Sequence, residues 1–322
     1  MEKLLIMGGS YFIGKGIVEQ LKDSFDTFVL NRGNRPLNDP KVTELKADRN
    51  NPDEMKSALA NYNFHYIVDV SGLNRLHEEI LINSIEMNKI KKFVFISSSA
   101  VYNIQKLTAP FKEDDELGGE SPFRDYARNK VEAELYLSSV IGKDKLIMLR
   151  PPVVYGEENY VLRERLIFKM IEENMKIYIP STNNRIQFVY ANDLAIQIKE
   201  TLFNKIPPGI YNVGNLVAPH FEEWVRLCEQ VVGKNAIIEF IDTKKLGIEA
   251  KSFFPFFDYD NILSVEKIRK YSDIETDMIE GLKRAYEDYL VIKDTLIIPE
   301  KLSNTLNKLD QMTKNSKGDL MT

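Results

Sequence analysis

The strongest constraint on this chain is a rhythm in its first half, where short apolar runs alternate with longer stretches of helical spacing. Lys3–Met7, Thr27–Leu30, Val42–Leu45, Tyr66–Val70, Phe93–Ile96 and Leu146–Leu149 read as strands. Several are apolar at consecutive positions, as expected of strands covered by helices on both faces. Between them, Ile13–Lys22, Pro52–Ala60, Leu76–Met87 and Phe123–Val140 carry apolar residues at helical spacing. Repeated strand–helix–strand units of this length predict an α/β fold built on a parallel, doubly wound sheet with right-handed crossovers.

The rhythm loosens after Arg150. Helices are expected at Leu162–Glu173, Asn192–Phe203, Phe221–Val232 and Thr276–Val291, with strands at Lys176–Ile179, Ile210–Val213 and Ile237–Ile241. The expected division is a first domain over 1–155, to which 185–205 returns, and a smaller α+β lobe over 156–310. A frayed tail is expected over 311–322, where Asn, Lys, Ser and Asp accumulate.

The whole-chain numbers exclude some functions. A formal net charge of −5 over 322 residues argues against a general binder of nucleic acid or anionic membrane. No apolar run approaches the roughly 18 residues of a membrane span. Cys228 is the only cysteine, so no intrachain disulfide or cysteine-based zinc site is available. His65, His77 and His220 lack metal-ligand spacing, and no metal is expected. A reduced, cytoplasmic protein acting on a small molecule is the expectation.

The first strand runs directly into Gly8-Gly9-Ser10-Tyr11-Phe12-Ile13-Gly14, and a helix follows. Small residues let a chain turn tightly there and bring backbone N–H groups, here those of Ser10 to Ile13, to a pyrophosphate at a helix N-terminus. The same pattern also describes a tight strand–helix turn without ligand. The second strand ends in Asn31-Arg32-Gly33-Asn34-Arg35, with no carboxylate to accept ribose hydroxyls. Arg32 and Arg35 suit a 2′-phosphate, which points to NADP with NAD possible, although each also reads as a solvated loop arginine. Ser71-Gly72, after the fourth strand, offers small residues where a cofactor would pass.

The fifth strand leads into Ser97-Ser98-Ser99-Ala100-Val101-Tyr102, and a later helix carries Tyr126-Ala127-Arg128-Asn129-Lys130. Four residues make one helical turn, so Tyr126 and Lys130 share a face. A phenol is a poor acid or base at neutral pH unless a nearby ammonium favours its ionised form. A hydroxyl from the fifth strand can hold the reacting oxygen.

In that order, glycine loop, Ser-Ser-x-x-Val-Tyr and Tyr-x-x-x-Lys, the chain resembles the extended short-chain dehydrogenases/reductases of the NAD-dependent epimerase/dehydratase family. Further segments carry the resemblance: Arg150-Pro151-Pro152-Val153-Val154-Tyr155-Gly156, Arg185 through Ala195, and Ile210 through Gly214. It spans about the first 215 residues and implies a Rossmann domain with a C-terminal substrate lobe. It implies Ser98, Tyr126 and Lys130 as the catalytic residues, with Lys130 also on the nicotinamide ribose. It implies Asp48, with Arg49 beside it, at the adenine, and Pro151 and Val153 beside the nicotinamide. Pairing of two copies through the Tyr126 helix would suit the family.

Two departures bear on function. Tyr11 stands where the family's middle glycine belongs. Ser99 and Ala100 stand where sugar-nucleotide dehydratases carry an acidic pair, which disfavours dehydration and leaves oxidation, reduction or epimerisation by hydride transfer. Ser99, Arg163 and Arg185 are the candidate substrate contacts, the arginines for a diphosphate or as plain solvated charges. The competing reading is a non-catalytic dinucleotide-binding sensor or scaffold on the same fold.

Overall fold

A computed structural model describes residues 1–119 and 121–318. In chain order the first elements are β1 (Lys3–Met7), α1 (Phe12–Leu21), β2 (Asp26–Asn31), β3 (Val42–Lys46), α2 (Pro52–Leu59), β4 (Tyr66–Asp69), α3 (Arg75–Asn83), β5 (Lys92–Ile96), α4 (Asp125–Val140) and β6 (Leu146–Arg150). There follow β7 (Val153–Tyr155), α5 (Glu164–Glu172), β8 (Lys176–Pro180), β9 (Phe188–Tyr190), α6 (Ala191–Leu202) and β10 (Gly209–Asn212). The last are α7 (Phe221–Val232), β11 (Ile237–Ile241), α8 (Thr243–Leu246), α9 (Glu266–Arg269), α10 (Met278–Ile292) and α11 (Glu300–Gly318).

The chain forms two compact units. The first takes in Met1–Val154, Gln187–Val217 and Asn261–Thr276. It holds a seven-stranded, wholly parallel sheet in the order β10-β6-β5-β4-β1-β2-β3. Alternate residues of each strand feed opposite faces. Leu4, Ile6, Val29, Val68, Val94 and Ile96 pack against Ile17 and Leu21 of α1 and Leu194 and Ile198 of α6. Leu5, Met7, Phe28, Ile67, Phe93 and Phe95 pack against Met55 of α2, Leu81 of α3 and Leu137 of α4. Each fully buried aliphatic or aromatic side chain contributes about 1.5–3 kcal/mol, so both faces are firmly sealed.

Helix entry follows local chemistry. Asn51 caps α2 by accepting from the N–H groups of Asp53 and Glu54, with Pro52 in the first turn. Asn74 caps α3 through the His77 N–H. By contrast, α1 has no side-chain cap and no acidic residue in its first turn, which leaves its N-terminus electropositive.

One strand sits elsewhere than the sequence rhythm suggests. The strand expected at Ile210–Val213 in the second lobe is β10, and it closes the large sheet beside β6, with Tyr211 opposite Leu149. Helix α6 supplies the crossover that makes the pairing possible.

The second unit begins at Tyr155–Ile186, Ala218–Asp260 and Asp277 onward. β8 and β11 pair in parallel there, Ile177 opposite Ile238. Trp224 of α7 is fully buried edge-on to Tyr155, and Phe168 of α5 meets Tyr286 and Tyr289 of α10. Where the composition of 311–322 suggests fraying, α11 is helical to Gly318, and 319–322 lie outside the described residues. Leu306 and Leu309 bury its inner face, and the Tyr178 hydroxyl donates to Asp310 at 2.5 Å. These apolar and polar anchors fasten the helix up to Asp310.

Candidate active site

The turn after β1 is built from glycines that nothing larger could replace. Gly8 has φ +87°, and a Cβ there would lie 2.7 Å from the Ser71 Cβ. At Gly14 a Cβ would lie 2.1 Å from the Gly8 carbonyl oxygen. Tyr11 is extended, at φ −156°, and the left-handed step falls on the next residue, Phe12, at φ +47°. A phenylalanine in that region is strained, and burial of its ring holds it there. The Tyr11 ring lies under the Arg35 guanidinium, 4.0 Å from it, so the loop after β2 reaches back over the glycine turn.

At the end of β2, Asn31 accepts from the Gly33 N–H at 2.6 Å, while its buried Nδ2 has no protein partner among the described residues. Arg32 is exposed close enough to Asp48 to favour that carboxylate's charged form. The Asn50 backbone and side-chain amides, both at 2.9 Å, are the larger causes that hold Asp48 below the usual carboxylate range.

Lys130 is where the predicted catalytic elements converge. It leaves α4 one turn after Tyr126, is only 3 % exposed, and donates from Nζ to the Gly72 carbonyl at 2.6 Å and the Ile96 carbonyl at 2.7 Å. Ile96 ends β5, two residues before Ser98. The Phe95 ring lies 4.5 Å from the ammonium. Burial pushes the Lys130 ammonium down to about 8. Tyr126 is 39 % exposed on the same helix. The Ser98 hydroxyl accepts from the Ala100 N–H at 3.2 Å, and the Ser99 N–H donates to the Pro151 carbonyl at 2.9 Å, which draws the segment carrying Pro151 and Val153 alongside. Ser99 itself is buried.

Two predicted cofactor contacts have protein partners instead of an open face. The Arg49 guanidinium grips Asp69 with both terminal nitrogens, at 2.9 and 2.8 Å, and reaches the Ser71 hydroxyl at 2.7 Å. Asp69 and Glu78, neither singled out by the sequence, have wholly buried side chains beside it. The available signal was an acid ending an otherwise apolar strand.

Arg163 and Arg185 belong to the second unit. The Arg185 Nε donates to the Ala218 carbonyl at 3.1 Å. Arg163 precedes α5, and its charge helps hold the Lys251 ammonium down, at about 8, after burial as the larger cause. Lys251 and Leu162 line a cavity of about 230 Å³ in that unit, with Leu166, Phe254, Pro255 and Leu302.

Residues 4–214 match the NAD dependent epimerase/dehydratase family, about two thirds of the chain. The chain belongs to that family. It is therefore an enzyme of the short-chain dehydrogenase/reductase type whose chemistry is NAD-dependent hydride transfer. It is 26 % identical over 306 residues to the chloroplast stem-loop binding protein of 41 kDa b from Arabidopsis thaliana, covering 88 % of this chain and 78 % of that one. It is 24 % identical over 293 residues to UDP-glucose 4-epimerase from Bacillus subtilis, covering 75 % and 85 %. The fold is that of dTDP-glucose 4,6-dehydratase from Bacillus anthracis, solved with NAD, at a TM-score of 0.74 and 18 % identity over 91 % of this chain and 98 % of that one. Among the described residues no helix is long and apolar enough to cross a membrane.

The residues present fit a nicotinamide dinucleotide. Gly8 and Gly14, where a Cβ would strike the protein itself, let the turn close tightly at the start of α1, the uncapped start of that helix attracts a pyrophosphate, and the orphaned Asn31 amide is a donor where the adenosine ribose would come.

Proposed function

We propose that this enzyme acts at a hydroxyl- or keto-bearing carbon of a sugar nucleotide or related small molecule, by net oxidation or reduction or by epimerisation. Ser98, Tyr126 and Lys130 are its catalytic residues in this reading. The observation that carries it is the seat of Lys130, which ties the Tyr126 helix to the end of β5 beside Ser98. The cofactor supplies hydride acceptance and return. Lys130 favours the Tyr126 phenolate, Tyr126 takes or gives the substrate proton, and the Ser98 hydroxyl holds the reacting oxygen. With two Lys130 protons on main-chain carbonyls, one N–H is left for a ribose hydroxyl. Arg163 and Arg185 are the candidate cations for a diphosphate, and the curated Bacillus subtilis relative acts on UDP-glucose by its name.

NADP is the preferred cofactor in this reading, with NAD accepted, because β2 ends without a carboxylate and presents Arg32. Two copies pair through α4, whose outer face shows Leu135 and Val140. The protein works in the cytoplasm, where its single cysteine stays reduced.

The test is turnover on a panel of sugar nucleotides. Tyr126→Phe is expected to cost roughly 10²–10⁴-fold while cofactor binding persists. Near-normal rates in that variant would remove the assignment. Direct titration with both cofactors tests the preference, and equal affinities would end it.

A second reading, a dinucleotide-binding sensor without turnover, is favoured by one finding: the Arabidopsis relative is named for stem-loop binding. The net charge of −5 weighs against nucleic acid as the ligand of this chain. Cofactor binding with no turnover on any substrate would favour the sensor.

A further inference from the structure

Four ionisable side chains meet where β4 and β5 end, and their arrangement is asymmetric. Asp69, at the end of β4, accepts both Arg49 nitrogens and also the N–H groups of Ser71 at 3.0 Å and Gly72 at 2.7 Å. It thereby fixes the turn whose Gly72 carbonyl holds Lys130. Glu78, from α3, crowds the same turn: a Cβ on Gly72 would be 2.0 Å from its Oε1 and 3.1 Å from Asp69 Oδ2. Arg49 reaches Glu78 only at 3.4 Å, and Glu78 Oε2 has no donor among the described residues.

Two carboxyls in one dry site do not both ionise readily. Asp69 takes nearly all the donors, and the Arg49 charge keeps it below the usual carboxylate range despite its burial. Burial, with the Asp69 charge next, pushes Glu78 well above its ordinary value. Of the two carboxyls, Glu78 has by far the poorer set of donors, and it is the one to carry a proton.

We propose that Arg49, Asp69 and Glu78 are a positioning triad for Lys130: Asp69 is its counter-anion, Glu78 a neutral carboxylic acid beside Asp69, and Arg49 the clamp on the turn. The proposal rests on the reading of Lys130 as the ammonium that activates Tyr126. The charged or titratable groups around Lys130 are Asp69 of β4, Glu78 and His77 of α3, Arg49 after β3, and Tyr126 and Glu134 of its own helix. Glu134 is neutralised by Arg150 of β6. His77 is uncharged, since its Nδ1 accepts from the Leu73 N–H and burial lowers its proton affinity.

The experiment titrates Lys130 by NMR of lysine side-chain carbons in the cofactor-free protein, with Lys130→Met assigning the signal. Asp69→Asn is expected to lower the Lys130 midpoint by about one pH unit or more, a tenfold or greater change in its protonation constant. Glu78→Gln, which replaces an already neutral group, should move it far less. In the unaltered protein, the infrared carbonyl band of a protonated carboxylic acid should be present at neutral pH and vanish in Glu78→Gln. An unmoved midpoint in folded Asp69→Asn overturns the proposal. So does a missing carbonyl band in the unaltered protein, a readout that stands even if Asp69→Asn fails to fold. If Lys130 follows Asp69 as stated but Lys130→Met retains turnover, the triad stands and the catalytic reading of Lys130 falls.

Discussion

Two arginines of the same unit, Arg150 buried and Arg49 largely covered, are treated in opposite ways. Arg150, at the end of β6, has a partner at every nitrogen: Nε and a terminal nitrogen reach Glu134 at 3.0 and 2.6 Å, and the other terminal nitrogen meets the Tyr102 hydroxyl and the Glu113 carbonyl. The Tyr102 hydroxyl donates onward to Asn212 at 2.6 Å, linking β6 to β10, and burial pushes the phenol up to about 12. Around Arg49 the account does not close. Its Nε and Glu78 Oε2 are both without partners among the described residues, and the cluster touches Lys130 through the Gly72 turn. A closed buried network specifies structure, while an unclosed one is left free to change protonation.

The largest expected effect tests the closed side. Arg150→Met strands the Glu134 charge and should destabilise the fold by about 3–5 kcal/mol, read from urea unfolding. A loss below about 1 kcal/mol would mean that the pair contributes no more than a surface salt bridge.

Next comes Gly72→Ala. Its methyl must displace the Glu78 carboxyl, and the cost expected is about 1–3 kcal/mol. Adding Glu78→Ala should recover part of that loss. Strict additivity of the two changes would show that the turn and Glu78 do not press on each other.

Glu78→Gln sharpens the contrast through pH. The native Glu78 carboxyl titrates above its ordinary 4.5, so between those points the folded protein holds a proton that the unfolded chain has released. Stability present below that range is therefore lost as pH rises through the native value. Glutamine lacks this slope, and the variant should gain on the unaltered protein as pH rises above 4.5. Parallel stability curves for the two proteins would argue that Glu78 is already charged.

The smallest effect belongs to an exposed arginine. Arg35→Ala removes the cation over the Tyr11 ring and should cost about 0.5–1 kcal/mol, measured by thermal unfolding without cofactor. A loss as large as that for Arg150 would erase the distinction drawn between buried and exposed partners.

Much of the first unit was legible because local rules and tertiary demand agree there. A strand sealed on both faces must be apolar through its middle, so β1, β4 and β5 stand out of the sequence and their ends mark the candidate site. The Tyr126–Lys130 spacing is equally local, being one helical turn. The start of α3 was harder to read. Leu76 is apolar yet 55 % exposed, while the polar neighbours His77 and Glu78 face inward. Helical phase alone cannot say which of Glu78 and Glu79 is buried. A polar partner, Arg49, is needed to make the buried choice tolerable, and it comes from a different loop.

The amino-acid order by itself determined the doubly wound sheet, the glycine turn and the helix that pairs Tyr126 with Lys130, because each depends on neighbours within a turn or on strand burial. Only the tertiary structure decided that β10 closes the sheet and that α11 is held as a helix by Leu306, Leu309 and Asp310. It alone decided that Arg49 faces Asp69 rather than solvent. The physical reason is the same in each case. A hydrogen bond or an ion pair between residues tens of positions apart leaves no periodic trace, and charge in a dry interior is set by whichever partners the fold delivers.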